Sequence, residues 1–333
     1  MIKIAQIGTS LYSHGQSIFE TISNQKDIFE VVGYALPENE RKKFPERIGV
    51  FNGYKELTVE EILNNPEIQA VAIETEEIYL TKYAIMAAQH KKNIHMEKPG
   101  GVDLKEFERL ISFVKQNNLV FHIGYMYRYN PYIIDLLNQV KKGEVGEIIS
   151  VEAQMNFSGT IEFRNWLKNL KGGMMFFLGC HLIDIILKIQ GTPKRIIPLN
   201  KTTHLGECGD DFGMAVLEYE NGVSFAKAIA MERGGFARRQ LVVTGTEKTV
   251  ELKPIEMYSK PEGSSIIYSE KTEYKNTGWL EYGSKSRSEL FDRYEAMMRT
   301  FAKMVEGEIQ NINTPDYELL LYKTILQCSG ALE

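Results

Sequence analysis

The chain has 333 residues, 43% hydrophobic and 25% charged, with a net charge of -5 from interspersed acids and bases. A single core rarely grows past roughly 250–300 residues, so two domains are expected, and the unclustered Lys and Arg argue against a nucleic-acid partner. No apolar run approaches the ~20 residues that span a bilayer, so no membrane association is expected.

No signal-peptide pattern precedes the first strand, and Cys180, Cys208 and Cys328 have no metal-ligand spacing. A cytoplasmic protein in a reducing compartment is the expectation. The histidines His14, His90, His95, His122, His181 and His204 show no paired ligand spacing either, so no metal site is expected.

The first half alternates short apolar runs with amphipathic stretches. Ile2–Gly8 reads as a strand and His14–Asn24 as a helix. Between them, Gly8, Thr9, Ser10 and Leu11 form a turn. Gly8 permits tight bending, and the helix start offers backbone N–H groups and a positive dipole end to a pyrophosphate. A full dinucleotide fingerprint reads Gly-x-Gly-x-x-Gly. Ser10 and Ser13 hold its second and third positions here, and serine is small enough for close backbone approach. The same residues also suit an ordinary strand-to-helix turn.

Phe29–Leu36 is the next strand. Leu36 cannot accept a ribose hydrogen bond, which leaves Glu38 for that role if the loop bends back. Arg41, Lys42 and Lys43 either meet a 2′-phosphate or, the preferred reading, form a solvated basic helix start. A helix Val59–Asn64 capped at Thr58, a strand Ala70–Thr75, a helix Leu80–His90, a strand Asn93–Met96, a helix Leu104–Asn117 and a strand Leu119–Gly124 follow. This β-α-β alternation predicts a parallel sheet covered by helices on both faces.

Glu97-Lys98-Pro99 follows the Asn93–Met96 strand, on the carboxyl side where doubly wound sheets bind ligands. Lys98 can donate to a substrate oxygen or take part in proton transfer. Glu97 suits holding that lysine or a cofactor hydroxyl, and Pro99 stiffens the turn; a surface salt bridge is the plainer reading. Arg128 then stands among Tyr125, Tyr127 and Tyr129, which suits either a polar ligand or a packed hinge.

The second half changes period. Glu147–Asn156, Asp211–Glu220, Val223–Met231, Arg238–Thr244 and Thr249–Leu252 read as strands, with turn signals at Glu220-Asn221-Gly222 and Gly245-Thr246-Glu247. Helices are expected over Gly173–Ile189, roughly Ser286–Glu306, and Asp316–Cys328. Together they predict a mostly antiparallel sheet with one helix-covered face. His181 and Asp184 are three apart and share a helix face, so Asp184 can orient His181 as a general acid/base. A structural histidine satisfied by Asp184 fits equally. Gly179 leaves room for a ligand nearby, and Arg164 and Trp166 lie on a candidate substrate loop.

Gly8 after the first strand, Glu97-Lys98-Pro99, the Tyr127-Arg128-Tyr129-Asn130-Pro131 run and Gly172-Gly173…Gly179-Cys180-His181-Leu182-Ile183-Asp184 occur in this order. In that order they resemble the glucose–fructose oxidoreductase / inositol dehydrogenase / MocA family over essentially the whole chain. The resemblance implies an α/β plus α+β protein. A Rossmann doubly wound domain would cover residues 1–124. An open, mostly antiparallel substrate-binding and oligomerisation domain would cover 125–333, with C-terminal helices free to pack back on the first. It implies hydride transfer between NAD or NADP and a hydroxyl-bearing carbon of a sugar or cyclitol, and a homodimer or homotetramer formed through the sheet.

By the same resemblance Lys98 is the catalytic lysine, His181 the acid/base histidine, and Asp184 a substrate-binding or histidine-orienting acid. Gly8, Thr9, Ser10, Leu11, Leu36, Glu74, Thr75, Glu97, Lys98 and Arg128 fall on the cofactor side. Lys98, Tyr127, Arg164, Trp166, His181 and Asp184 fall on the substrate side. The departures concentrate on the cofactor side. Leu36 stands where many members carry a ribose-binding acid, Phe177 where many carry an Asp, and Ile73-Glu74-Thr75-Glu76-Glu77 replaces an Ala-Thr-Pro-Asn type loop. Three carboxylates near a dinucleotide must face away or meet ribose hydroxyls. Two alternatives follow: a non-catalytic sugar- or dinucleotide-binding regulator on the same fold, and an enzyme of elimination or hydrolysis with a tightly held cofactor.

Overall fold

The computed structural model describes residues 1–203, 209–260, 265–279 and 281–332; His204 and Cys208 lie outside the described residues. The chain divides into two compact units, Met1–Met126 with Tyr294–Tyr322, and Tyr127–Arg293 with Lys323–Glu333. Among the described residues no helix is long and apolar enough to cross a membrane.

The first unit holds five strands: β1 (Ile2–Ile7), β2 (Phe29–Ala35), β3 (Ala70–Ile73), β4 (Asn93–Met96) and β5 (Phe121–Ile123). They form one parallel sheet in the order β2-β1-β3-β4-β5. Ile4, Ile7 and the whole of β3 are fully buried, because helices cover both faces and leave no side for polar alternation. The chain leaves β1 towards β2 and returns on the other side as β3, so the order reverses between β1 and β3. Ligands of such sheets sit outside the carboxyl ends at that point. Ile7 pairs with Ile73, and Ile73 with Met96, so these three strands end level.

The helices are α1 (Gly15–Asn24), α2 (Glu40–Lys43), α3 (Val59–Asn64), α4 (Leu80–Gln89) and α5 (Leu104–Gln116). A capping box starts α3: the Thr58 hydroxyl accepts from the Glu61 N–H at 3.1 Å, and the Glu61 carboxylate accepts from the Thr58 N–H at 2.7 Å. Asp103 caps α5. Residues 294–322 complete this unit. Tyr322 stacks on Phe107 of α5 with ring centroids 4.3 Å apart, and Phe301 packs on His122 at 5.5 Å.

The second unit is built from α6 (Pro131–Lys141), β6 (Ile148–Asn156), α7 (Ile161–Trp166), α8 (Cys180–Gln190), β7 (Arg195–Pro198), β8 (Phe212–Tyr219), β9 (Gly222–Ile229), β10 (Gln240–Gly245) and β11 (Thr249–Leu252). It continues with β12 (Met257–Tyr258), β13 (Ile266–Tyr268), β14 (Glu270–Tyr274), β15 (Ser284–Arg287) and β16 (Phe291–Asp292). Eight strands form a sheet in the order β15-β14-β11-β10-β6-β9-β8-β7. Its pairs are antiparallel except β6 with β9. β12, β13 and β16 form a small separate sheet. One face of the large sheet is buried through Val151, Ala153, Ala215, Leu217, Ala226 and Leu241.

One expectation needs correction here. Ser284–Arg287 and Phe291–Asp292 are strands β15 and β16, and the helix begins only at Glu295. Ser284–Arg287 is an exposed edge strand whose polar residues pair with the charged β14, Arg287 opposite Glu270. The Asn130-Pro131 pair opens a helix: the Asn130 side chain accepts from the N–H groups of Tyr132 and Ile133, and Pro131 occupies the first turn. The helix expected over Gly173–Ile189 is present, with a π-turn at Met175–Gly179 ahead of α8.

Phe107 is fully buried between Phe121 and Tyr322. Phe107→Ala is expected to lower the stability of the first unit by about 3–5 kcal/mol, measured by urea denaturation.

Candidate active site

Gly8 leaves β1 at φ +90°, and a Cβ there would lie 2.4 Å from Thr75 Cγ2, so a side chain is excluded at this position. Ser10 and Ser13 then close the loop upon itself. The Ser10 N–H donates to Ser13 Oγ and the Ser13 N–H to Ser10 Oγ, both at 3.1 Å, and the Gly15 N–H donates to Ser13 Oγ at 3.2 Å. Gln6 Nε2 ties the two ends together by donating to the carbonyls of Gly8 and Gly15. The hydroxyls therefore turn inward, where glycines would carry nothing, and Leu11 stands exposed at the apex. A Gly8 that admits no Cβ, small residues at both fingerprint positions and an outward apex fit a dinucleotide pyrophosphate at this loop.

The carboxyl end of β2 opens on a cleft of about 430 Å³ lined by Leu36, Pro37, Glu56, Glu60, Lys82 and Tyr83. Glu38 lies on its edge at φ +57°. Its carboxylate accepts from Lys82 Nζ at 2.5 Å and from the Tyr83 hydroxyl at 2.7 Å, and these two donors hold it below the usual carboxylate range. Arg41 pairs with Glu56, and Lys43 with Glu76 at 2.9 Å.

At the end of β4, Glu97 and Lys98 are both 1% exposed. The Glu97 carboxylate accepts from the His14 N–H at 3.1 Å, lies 2.9 Å from His14 Nδ1, and accepts from the Lys98 N–H at 3.1 Å; Lys98 Nζ is 3.6 Å away. Burial opposes its ionisation, but His14, Lys98 and the backbone donors outweigh burial and hold its pKa low. The other acids of this edge do not stand free before the loop. Glu74 is fully buried, and burial followed by the neighbouring Glu97 pushes it well above the usual range. Burial raises Glu77 to about 7 and Glu40 to about 8, the latter despite the donated Thr9 N–H at 2.9 Å.

The second unit gathers another group. Arg128 grips Asp184 with a two-pronged contact, Nε to Oδ2 and Nη2 to Oδ1, both 2.9 Å. The expected orienting carboxylate of His181 thus has Arg128 as a partner. His181 is 1% exposed, and the Tyr127 ring meets it edge to face at 5.0 Å. The Tyr127 hydroxyl donates to Glu256, on which Arg239 and Arg293 also converge at 2.6 Å. No motif in the sequence marks Glu256, Arg239 or Arg293; they lie a hundred residues or more beyond Tyr127.

Arg164 and Trp166 stand on α7 rather than on a loop. Arg164 pairs with buried Asp211 at 3.3 Å, and Trp166 packs edge-on against Phe177 at 5.3 Å. The room expected beside Gly179 is taken: a Cβ there would lie 2.4 Å from Met175 Sδ. So the first unit brings Gly8, Thr9, Ser10, Glu74, Thr75, Glu97 and Lys98 together, with Leu36 at the β2 cleft. The second brings Tyr127, Arg128, His181 and Asp184 together.

Comparison with known proteins follows this division. The family model described as "Oxidoreductase family, NAD-binding Rossmann fold" matches residues 2–125, and the "GFO/IDH/MocA C-terminal domain" matches residues 133–251. The chain is similar to the scyllo-inositol 2-dehydrogenase (NAD(+)) of Bacillus subtilis, 33% identical over 49% of each chain. It is also similar to the myo-inositol 2-dehydrogenase of Thermotoga maritima, 22% identical over 60% of this chain and 61% of that protein. Those alignments span half to three fifths of these relatives. A 3-ketoreductase from Actinomadura kijaniata, solved with NADP and TDP-benzene, shares the fold with a TM-score of 0.75 at 15% identity, over 97% of this chain and 95% of the other.

Asp184→Ala leaves the Arg128 guanidinium buried without its carboxylate. A loss of about 3–5 kcal/mol is expected, read from the urea midpoint of the variant.

Proposed function

Because the chain belongs to the GFO/IDH/MocA oxidoreductase family, we propose that it transfers a hydride between the nicotinamide of NAD or NADP and a hydroxyl-bearing carbon of a sugar or cyclitol. The inositol dehydrogenases among its relatives support that substrate class. The observation that carries the reading is Glu97. One buried carboxylate holds both the cofactor-loop residue His14 and the lysine Lys98.

When bound, the nicotinamide exchanges the hydride with the reacting carbon. Lys98 donates a hydrogen bond to the reacting oxygen and stabilises the charge that develops as the hydroxyl proton leaves. His181 takes that proton in oxidation and returns it in reduction. Asp184, one helical turn on from His181, is held by Arg128. Tyr127, fixed by Glu256, packs the imidazole in place.

The β2 cleft supports NAD over NADP. Glu56 and Glu60 line it, Glu38 stands at its edge, and Lys82, Arg41 and Lys43 are each paired with an acid. A 2′-phosphate meets bases already paired with acids there, whereas a ribose hydroxyl meets an acceptor. The partly exposed apolar residues of the other sheet face, Met214, Val216, Phe225 and Val242, suit a second copy in a homodimer or homotetramer. An enzyme drawing on soluble NAD(P) belongs in the cytoplasm.

Lys98→Ala is expected to lower kcat at least ~100-fold on a polyol and inositol panel with the fold kept; wild-type turnover in that variant would remove the reading. NAD is expected to bind at least ~10-fold tighter than NADP in fluorescence titration, a difference of about 1.4 kcal/mol. Glu38→Gln narrows that gap.

A further inference from the structure

Glu74 and Glu97 are the first residues past the ends of neighbouring parallel strands, since Ile73 pairs with Met96. They leave the sheet side by side, 0% and 1% exposed. Two ionised carboxylates cannot share a desolvated site, so their surroundings decide which keeps its charge.

Those surroundings are unequal. Glu97 faces Lys98 Nζ, His14 Nδ1 and the N–H groups of His14 and Lys98. Neither oxygen of Glu74 has a hydrogen-bond partner, and Glu97 leaves the neighbouring strand beside it. Lys98 and Arg47 favour its charge through space, but burial and the neighbouring Glu97 outweigh them. His95 of β4 places Nε2 3.6 Å away, but burial drops its pKa to about 4, so the ring is neutral. Behind it His122 of β5 shares a 2.8 Å contact between Nδ1 atoms, and Phe301 closes that side with an apolar ring. Arg47, from the turn Pro45–Phe51, acts on Glu74 only through space; its Nη2 donates to the Ser13 carbonyl at 2.8 Å. Above lies the start of α1, where a Cβ on Gly15 would come within 3.1 Å of Glu74 Cβ.

We propose that Glu74 is a positioning residue: protonated at neutral pH, it donates a hydrogen bond to Glu97 and so fixes the carboxylate that aims Lys98 and holds the cofactor loop through His14. The inference rests on the role given to Lys98 and adds a residue that acts on it through Glu97. It assigns a use to a carboxyl that would otherwise burden a site receiving a dinucleotide. Neutral, Glu74 adds no charge beneath the pyrophosphate. Ionised, it repels both Glu97 and the incoming ligand. The sign follows: affinity is full while Glu74 holds its proton and is lost as pH rises through its elevated pKa.

The test compares wild type, Glu74→Gln and Glu74→Ala in equilibrium NADH fluorescence titrations from neutral to alkaline pH, without substrate. Gln is an uncharged donor of nearly the same shape. Wild-type affinity should fall at alkaline pH at least ~10-fold; Glu74→Gln should match wild type at neutral pH and stay flat. Glu74→Ala should bind at least ~10-fold more weakly at every pH, and its kcat should fall with its affinity. An infrared difference spectrum of wild type minus Glu74→Gln should carry a protonated-carboxyl C=O band at neutral pH. An ionised-carboxylate band in its place, or an alkaline fall unchanged in Glu74→Gln, overturns the proposal. Absence of NADH binding in the wild type overturns the functional reading instead, and the infrared band still decides the state of Glu74.

Discussion

The first unit is organised around one buried negative charge. Removing a carboxylate from water costs several kcal/mol unless hydrogen bonds and opposite charge replace its hydration. Glu97 obtains both from neighbours fixed by the backbone: the next residue along its own turn and His14, the residue just before α1. The arrangement has one solution in space. The loop after β1 must bring His14 to Glu97, and the turn after β4 must bring Lys98 there too. Chain segments more than eighty residues apart are registered by a single side chain.

The serine substitutions read differently in this light. Glycine in a phosphate loop lets the backbone come close but does nothing to hold its shape. Ser10 and Ser13 hold the shape by bonding each other's N–H groups, and they project nothing outward. The extra acids of the β3 edge follow the same economy of exposure. Glu76 is paired with Lys43, while Glu74 and Glu77 are buried. The changes that set the cofactor loops apart from the usual pattern therefore alter how the loop is held more than what it presents.

Most of the first unit was legible because its determinants are local. Strands buried on both faces are continuous apolar runs, as in Ala70–Ile73, and α3 is announced by Thr58 and Glu61. The Lys98 and His181 motifs were legible through their order along the chain. What escaped depends on tertiary partners. Residues 284–292 carry no apolar alternation, and only pairing with β14 and β13 makes strands of Ser284–Arg287 and Phe291–Asp292. The α6 start was written in Asn130 and Pro131 but was absorbed into a run read for its tyrosines and arginine. Nothing local tells that Asp184 belongs to Arg128, or that Glu256 gathers Tyr127, Arg239 and Arg293, because each is a meeting of distant segments.

Residues 294–322 return to the unit begun by the first 126. Tyr294 lies 5.5 Å from the His14 ring, Arg299 pairs with Asp27, and Phe301 covers His95 and His122. A chain emerges from the ribosome amino end first, and domains generally fold as units. Here the sheet emerges early yet lacks its last wall until residues 294–322 have been made. The nucleotide-binding unit therefore closes only after residues 127–293 have been made, and until then its histidine pair and the underside of its loop face solvent or a chaperone.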